Sequence, residues 1–149
     1  MAPERIMDKT AATNALRTAI AKAGISCNAL IGGLGVRIDD YTVHVPDALA
    51  YCADKLPPHT MVVPNPVIVV EVVSPTTRHT DNSAKLFGYF KLPSVHHCLI
   101  IDPEARTVTH HARAADGTVS GRTLTDEELD ITPPGIKGLG SAGVRIVAL

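Results

Sequence analysis

The 149-residue sequence has no tryptophan, two phenylalanines and three tyrosines, so its core has to be filled by Val, Ile, Leu and Ala. It has no surplus of positive charge: 14 Lys and Arg stand against 15 Asp and Glu, for a net charge of -1. A basic surface is the usual footprint of sequence-independent nucleic-acid binding, and the overall composition supplies none. Cysteine is sparse as well. Cys27, Cys52 and Cys98 include no C-x-x-C pair, which argues against a zinc ribbon or a thioredoxin-type site and leads us to expect buried or half-buried free thiols in a reducing compartment. No apolar run approaches the length of a membrane span. The N-terminal MAPERIMDKT is charged within its first five residues and has no apolar signal core, so a cytoplasmic location is expected.

What is present reads as an ordinary globular chain, with 45% hydrophobic and 19% charged residues, long enough for a single domain over residues 1–149. Apolar residues recur at three- and four-residue steps from Pro3 to Ala23, and Gly24 follows as a stop, which predicts a helix with Pro3 in its first turn. Asn28–Ile31, Gly35–Ile38 and Tyr41–Tyr51 read as strands, with Asp39-Asp40 as a turn. Lys55–Pro66 carries four prolines and reads as a loop. Val67–Val73 (VIVVEVV) is apolar at odd and even positions, as a strand covered on both faces should be. Thr80–Leu92 reads as a second helix, capped by Thr80 or Asp81 and followed by Pro93. Val95–Ile101 and Thr107–Ala112 read as strands joined by a turn at Asp102-Pro103, and shorter strands and loops follow. The order helix, strands, helix, strands indicates an α/β or α+β domain with a mixed sheet.

Three residues stand out chemically. Glu71 is alone among Val and Ile, and an unpartnered buried carboxylate costs several kcal/mol, on the order of the effective penalty per buried ion. Asp47 follows Pro46 and shares parity with Val43, Val45, Leu49 and Tyr51, so it is expected on their face of the chain. Two such carboxylates on neighbouring strands make a hard, oxygen-rich site suited to Mg²⁺. Lys85 lies on the helix after the Glu71 strand, placed to orient a water or offset charge on a phosphate. A blander reading stands beside this one: Glu71 as half of a buried ion pair with Arg78 or Lys85, Asp47 as turn chemistry, and Lys85 as a solvated helix residue.

Other candidates are weaker. His96-His97 and His110-His111 face each other across a predicted hairpin, but adjacent strand residues point to opposite faces, so each doublet offers one ligand per face at most; exposed sheet residues are the expectation. The sequence has no P-loop. GGLG at Gly32–Gly35 precedes a strand instead of a helix, which does not suit nucleotide binding. Ser74 lacks the flanking glycines of a nucleophile elbow.

The segments PDALAYC, PNPVIVVEVVSPTTRHTD and KLFGYFKLPSVHHCLIID, within Pro46–Asp102, closely resemble the Uma-two family of restriction-endonuclease-like proteins. The resemblance extends more loosely over most of the chain. It implies a PD-(D/E)XK nuclease fold, a mixed central sheet flanked by helices, with Asp47 as the PD aspartate and Glu71 as the second acid. It further implies the Val72 carbonyl as a metal ligand, Mg²⁺ or Mn²⁺ as cofactor and DNA as substrate. The lysine that usually stands two residues after the second acid is replaced here by Val73, and the resemblance places the basic residue at Lys85 on the next helix. Relatives often carry a histidine where this chain has Asp8, and often begin with a further strand pair. Without that pair a sheet edge is left open, which homodimerisation would cover.

Overall fold

The computed structural model describes residues 8–74, 82–125 and 128–137. Helix α1 spans Lys9–Ala23. Its buried residues Ala12, Ala15, Leu16, Ala19 and Ile20 follow the helical period and form one stripe. Asp8 caps it: its backbone is extended and its Oδ1 accepts the Ala11 N–H at 2.8 Å. The α1 helix therefore begins at Lys9, later than predicted, because the cap takes the place of a further turn. Pro3 lies outside the described residues. Gly24, left-handed at φ 67°, closes the helix with its N–H on the Ile20 and Ala21 carbonyls.

Strands β1 (Asn28–Ile31), β4 (Ala48–Tyr51), β5 (Ile68–Val72), β6 (His97–Asp102), β7 (Thr107–Arg113) and β8 (Val119–Leu124) form one six-stranded sheet in the order β1-β4-β5-β6-β7-β8. Only β5 and β6 run parallel, and the crossover between them contains helix α2 (Asn82–Phe90). A separate ribbon pairs β2 (Val36–Asp39) with β3 (Thr42–His44), and a small one pairs β9 (Asp130–Ile131) with β10 (Ile136–Lys137). The expected mixed sheet flanked by helices is thus observed. The strand expected over Val67–Val73 is β5, central in the sheet, with Ile68, Val69, Val70 and Glu71 all buried.

Helix α1 covers one face. There Leu16 and Ile20 pack with Ala48, Ala50, Ile68 and Val70 in the larger core cluster. Helix α2 and the β2–β3 ribbon cover the other, where Leu49, Tyr51 and Val69 meet Val36, Tyr89 and Cys98. Alternation along β4 and β5 sends odd-numbered residues to the α2 side and even-numbered ones to the α1 side.

Three expectations are corrected. The single segment Tyr41–Tyr51 is two strands in two sheets. Pro46, which has no N–H to give a ladder, separates them, and Val43 and Val45 are exposed on the ribbon instead of sharing a buried face with Leu49 and Tyr51. Cys27 and Cys52 are not free thiols: they form a disulfide, one step beyond the Asn28–Tyr51 pair that ends the β1/β4 ladder. Only Cys98 is a buried free thiol, so cysteine usage no longer argues for a reducing compartment. His97 and His110 are not simply exposed. They lie on the same face of adjacent strands, with His97 Nδ1 2.8 Å from His110 Nε2, and His97 is 2% exposed. Among the described residues no helix is long and apolar enough to cross a membrane.

Candidate active site

Asp47 enters the sheet at the start of β4, and its main chain is tied on both sides. Its N–H bonds the Val70 carbonyl at 3.0 Å, and its own carbonyl accepts the Gly32 N–H at 2.8 Å. Gly32 is needed for that approach, because a Cβ there would stand 3.0–3.1 Å from the Pro46 and Asp47 carbonyl oxygens. This gives the GGLG segment a structural use. The Asp47 carboxylate reaches across to β5, where its Oδ2 accepts the Val72 N–H at 2.7 Å.

Glu71 lies on the α2 side of β5 and is 8% exposed. Its Oε1 accepts the Tyr89 hydroxyl at 2.5 Å and stands 3.9 Å from Lys85 Nζ. Burial raises the Glu71 pKa above the ordinary glutamate range. The Tyr89 hydrogen bond and the Lys85 charge oppose that rise, and the Asp47 carboxylate adds to it. The two acids are thus close enough for the charge of one to oppose ionisation of the other. Tyr89 is fully buried, and both its burial and the Glu71 charge push its pKa up, so the phenol is a hydrogen-bond donor at every physiological pH. Cys98, buried nearby on β6, is likewise held as the thiol, by burial first and by Glu71 second.

The structure therefore brings Asp47, Glu71, Lys85 and the Val72 main chain together. Lys85 and Tyr89 are one helical turn apart, on the same face of α2. Lys85 is 43% exposed, so the Glu71–Lys85 contact is a half-solvated pair at the rim instead of a buried one. The alternative partner Arg78 and the helix caps Thr80 and Asp81 lie outside the described residues. Asp8, as the exposed cap of α1, is on the helix that packs against the opposite face of the sheet.

Two contributors escaped the sequence reading. Tyr89 sits in the apolar LFGYF run of α2, and only the spacing from Lys85 could have marked it. His44, from β3, sets its ring at 71° to Tyr89 with 5.3 Å between centroids. It rests against Gly88, where a Cβ would fall 2.9 Å from His44 Nε2. Burial, and then the Lys85 charge, lowers the His44 pKa, so this ring is neutral at physiological pH.

Among the described residues no group of three or more His, Cys, Asp and Glu side chains is arranged to hold a metal. The donor set here is two carboxylates with main-chain oxygen nearby. That suits a hard ion that keeps part of its water shell, as Mg²⁺ does, better than a zinc cage.

A family model described as "Uma2: Putative restriction endonuclease" matches residues 1–143. Among solved structures the chain is similar to "a putative nuclease belonging to DUF820" from Anabaena variabilis ATCC 29413. The likeness covers 99% of this chain and 85% of that one, with a TM-score of 0.71 and 15% sequence identity; at that identity it shows a shared fold. No curated protein matches the chain.

Proposed function

The chain belongs to the Uma2 family, and on that footing we propose that it is a divalent-metal-dependent endonuclease that hydrolyses DNA phosphodiester bonds. The observation that carries this reading is the convergence of Asp47 and a buried Glu71 from adjacent strands, with the Lys85 amine 3.9 Å from Glu71. Asp47, Glu71 and the Val72 carbonyl would hold Mg²⁺ or Mn²⁺. Such an ion, when bound, supplies a Lewis acid at the phosphate and a water of lowered pKa. The chain's own residues set the geometry. The Val72 N–H fixes Asp47 through one oxygen and the Tyr89 hydroxyl fixes Glu71 through one oxygen. Lys85, on the solvent side of the pair, orients the attacking water or offsets charge on the phosphate.

The test is cleavage of plasmid DNA with Mg²⁺ or Mn²⁺. Asp47→Ala should lose more activity than the roughly 10–100-fold typical of outer-shell changes at metal sites; equal nicking by both proteins would discard the mechanism. Val73, standing where the usual motif has lysine, favours a second reading: a nuclease-fold module that binds nucleic acid or protein without cleaving it. Calorimetric titration with Mn²⁺ separates the two, since absence of binding at millimolar metal supports the module.

A cytoplasmic setting follows in this reading from the DNA substrate, not from the cysteines. Assembly as a homodimer would use the β8 edge, where Val119–Thr123 are exposed, in preference to β1, whose Ala29 carbonyl already accepts the Arg17 Nε–H at 3.1 Å. A monomer by sedimentation at micromolar concentration would remove the dimer from the proposal.

A further inference from the structure

A cleft of about 570 Å³ opens at the β1 edge of the sheet, away from the carboxylates. Its polar rim carries Arg17 of α1 together with Lys55 and His59 of the loop after β4, and its floor includes Leu34, Tyr51 and Leu56. Among the described residues no Asp or Glu lines it; Asp54, next to Lys55 in the chain, is not among the lining residues. In a protein of net charge -1 this is a local concentration of positive charge with nothing of opposite sign in its walls.

The three basic side chains are not equivalent. Arg17 is anchored, because its Nε donates to the Ala29 carbonyl at 3.1 Å. That bond fixes the guanidinium plane at the strand edge and leaves its two terminal nitrogens for another acceptor. A planar, pre-oriented fork matches a phosphate better than a free ammonium does. Lys55 and His59 are exposed and line the same cleft. Tyr51 connects the cleft to the candidate active site: it lies on β4 four residues after Asp47 and on the same face, about 13 Å away at the rise of a strand. The Tyr51 end of the cleft is thus roughly four nucleotide steps, at 3.4 Å along one DNA strand, from Asp47, and Arg17 of α1 reaches the cleft round the β1 edge.

We propose that this cleft is a phosphate-binding subsite, in which Arg17, Lys55 and His59 hold the DNA backbone a few nucleotides from the bond cut at Asp47 and Glu71. The proposal rests on the reading of the chain as a DNA-cleaving enzyme and gives that reading what the net charge withholds, a place where a polyanion is attracted. The contacts are to the backbone and carry no base preference.

The test measures binding of a fluorescein-labelled 20-base-pair duplex of mixed sequence to the Asp47→Ala protein, over a range of KCl concentrations. Each phosphate contact contributes about 0.9 to the slope of log K against log salt. Arg17→Gln should weaken binding about three- to tenfold at low salt and lower that slope by roughly one. The double change Lys55→Gln/His59→Gln lies on an exposed loop outside the core and should lower it by roughly one, the share of the Lys55 charge. Lys137→Gln, on β10, should leave the slope unchanged. If duplex binds but its salt slope is indifferent to the Arg17 and Lys55/His59 changes, the subsite is overturned and the nuclease reading stands. If the parent protein binds no duplex at any salt, both fall. If inorganic phosphate binds with the same dependence on Arg17 while duplex does not, the cleft is a small-anion site and the DNA proposal is overturned.

Discussion

The two faces of the central sheet are built on opposite terms. On the α1 face, β4 and β5 present Ala48, Ala50, Ile68 and Val70 to a helix stripe of Ala, Leu and Ile, and the polar intruder on neighbouring β6 and β7 is a pair of neutral histidines. On the α2 face, the same two strands present Leu49 and Val69, but also Asp47 and Glu71, against a helix that answers with a phenol and an amine. One face is closed by packing. The other carries charge that packing alone would have removed, a departure from local consistency of the kind expected at functional or strained positions.

The contrast extends to acid and base. His97 is held neutral: burial pulls its pKa down to about 4, the His110 ring adds to that, and the Pro133 and Thr132 main chain opposes it. Its Nδ1 meets His110, and among the described residues its buried Nε2 has no partner at full hydrogen-bond geometry, only the weaker approach of the Thr132 and Pro133 main chain. The unfolded chain therefore binds more protons at this residue between pH 6.5 and about pH 4, and folding stability is lost as pH falls through that window. Glu71 has the reverse sign. Its folded pKa is raised, so the unfolded chain releases the proton first, and stability is lost as pH rises from the ordinary glutamate range through the raised value.

Three measurements would break or sharpen this comparison. The largest effect is expected on the α1 face: urea denaturation of metal-free protein should show a loss of about 2 kcal/mol between pH 7.5 and pH 5, the size of one histidine shifted from 6.5 to about 4. His97→Leu should remove most of that slope; an unchanged slope would show that the pair is not the acid-sensitive element. On the α2 face Glu71→Gln keeps an acceptor for Tyr89 while deleting the desolvated charge. It should raise stability by about 1 kcal/mol at pH 8 in EDTA while removing the cleavage that the proposed function expects, and a lower melting temperature would contradict the reading of Glu71 as a residue that costs stability. The smallest effect belongs to Lys85. If Glu71 and Lys85 were a buried structural pair, Lys85→Met would cost ~3–5 kcal/mol. With the amine 43% exposed, the expected cost is below about 1 kcal/mol, with the main loss in DNA cleavage.

Much of this was legible in the sequence where the signal is local. VIVVEVV announced a strand covered on both faces because alternation failed in favour of Val and Ile, and Glu71 was conspicuous inside it. The split at Pro46, by contrast, was hidden because Tyr41–Tyr51 alternates well enough to pass as one strand; only the partners of its two halves, β2 on one side and β1 and β5 on the other, separate them. The Cys27–Cys52 bond spans 25 residues and depends on the register of β1 against β4, which no spacing rule supplies. Tyr89 carries no chemical signal in the sequence because a tyrosine in an apolar helix usually just packs; its bond to Glu71 joins residues 18 apart. The candidate acids were found because charge in an apolar run is rare. Their donors were missed because a phenol and a backbone N–H are common.

Gly88 has a consequence beyond the room it makes. The His44 ring sits where a side chain would otherwise project from the helix, so the ring and the bare position mesh like a pin in a notch. Sliding α2 by one turn, about 5.4 Å, would bring Ala84 to the pin, and its Cβ would strike it. The spacing between the amine on this helix and the carboxylate on its neighbouring strand is thus indexed by a residue that touches neither.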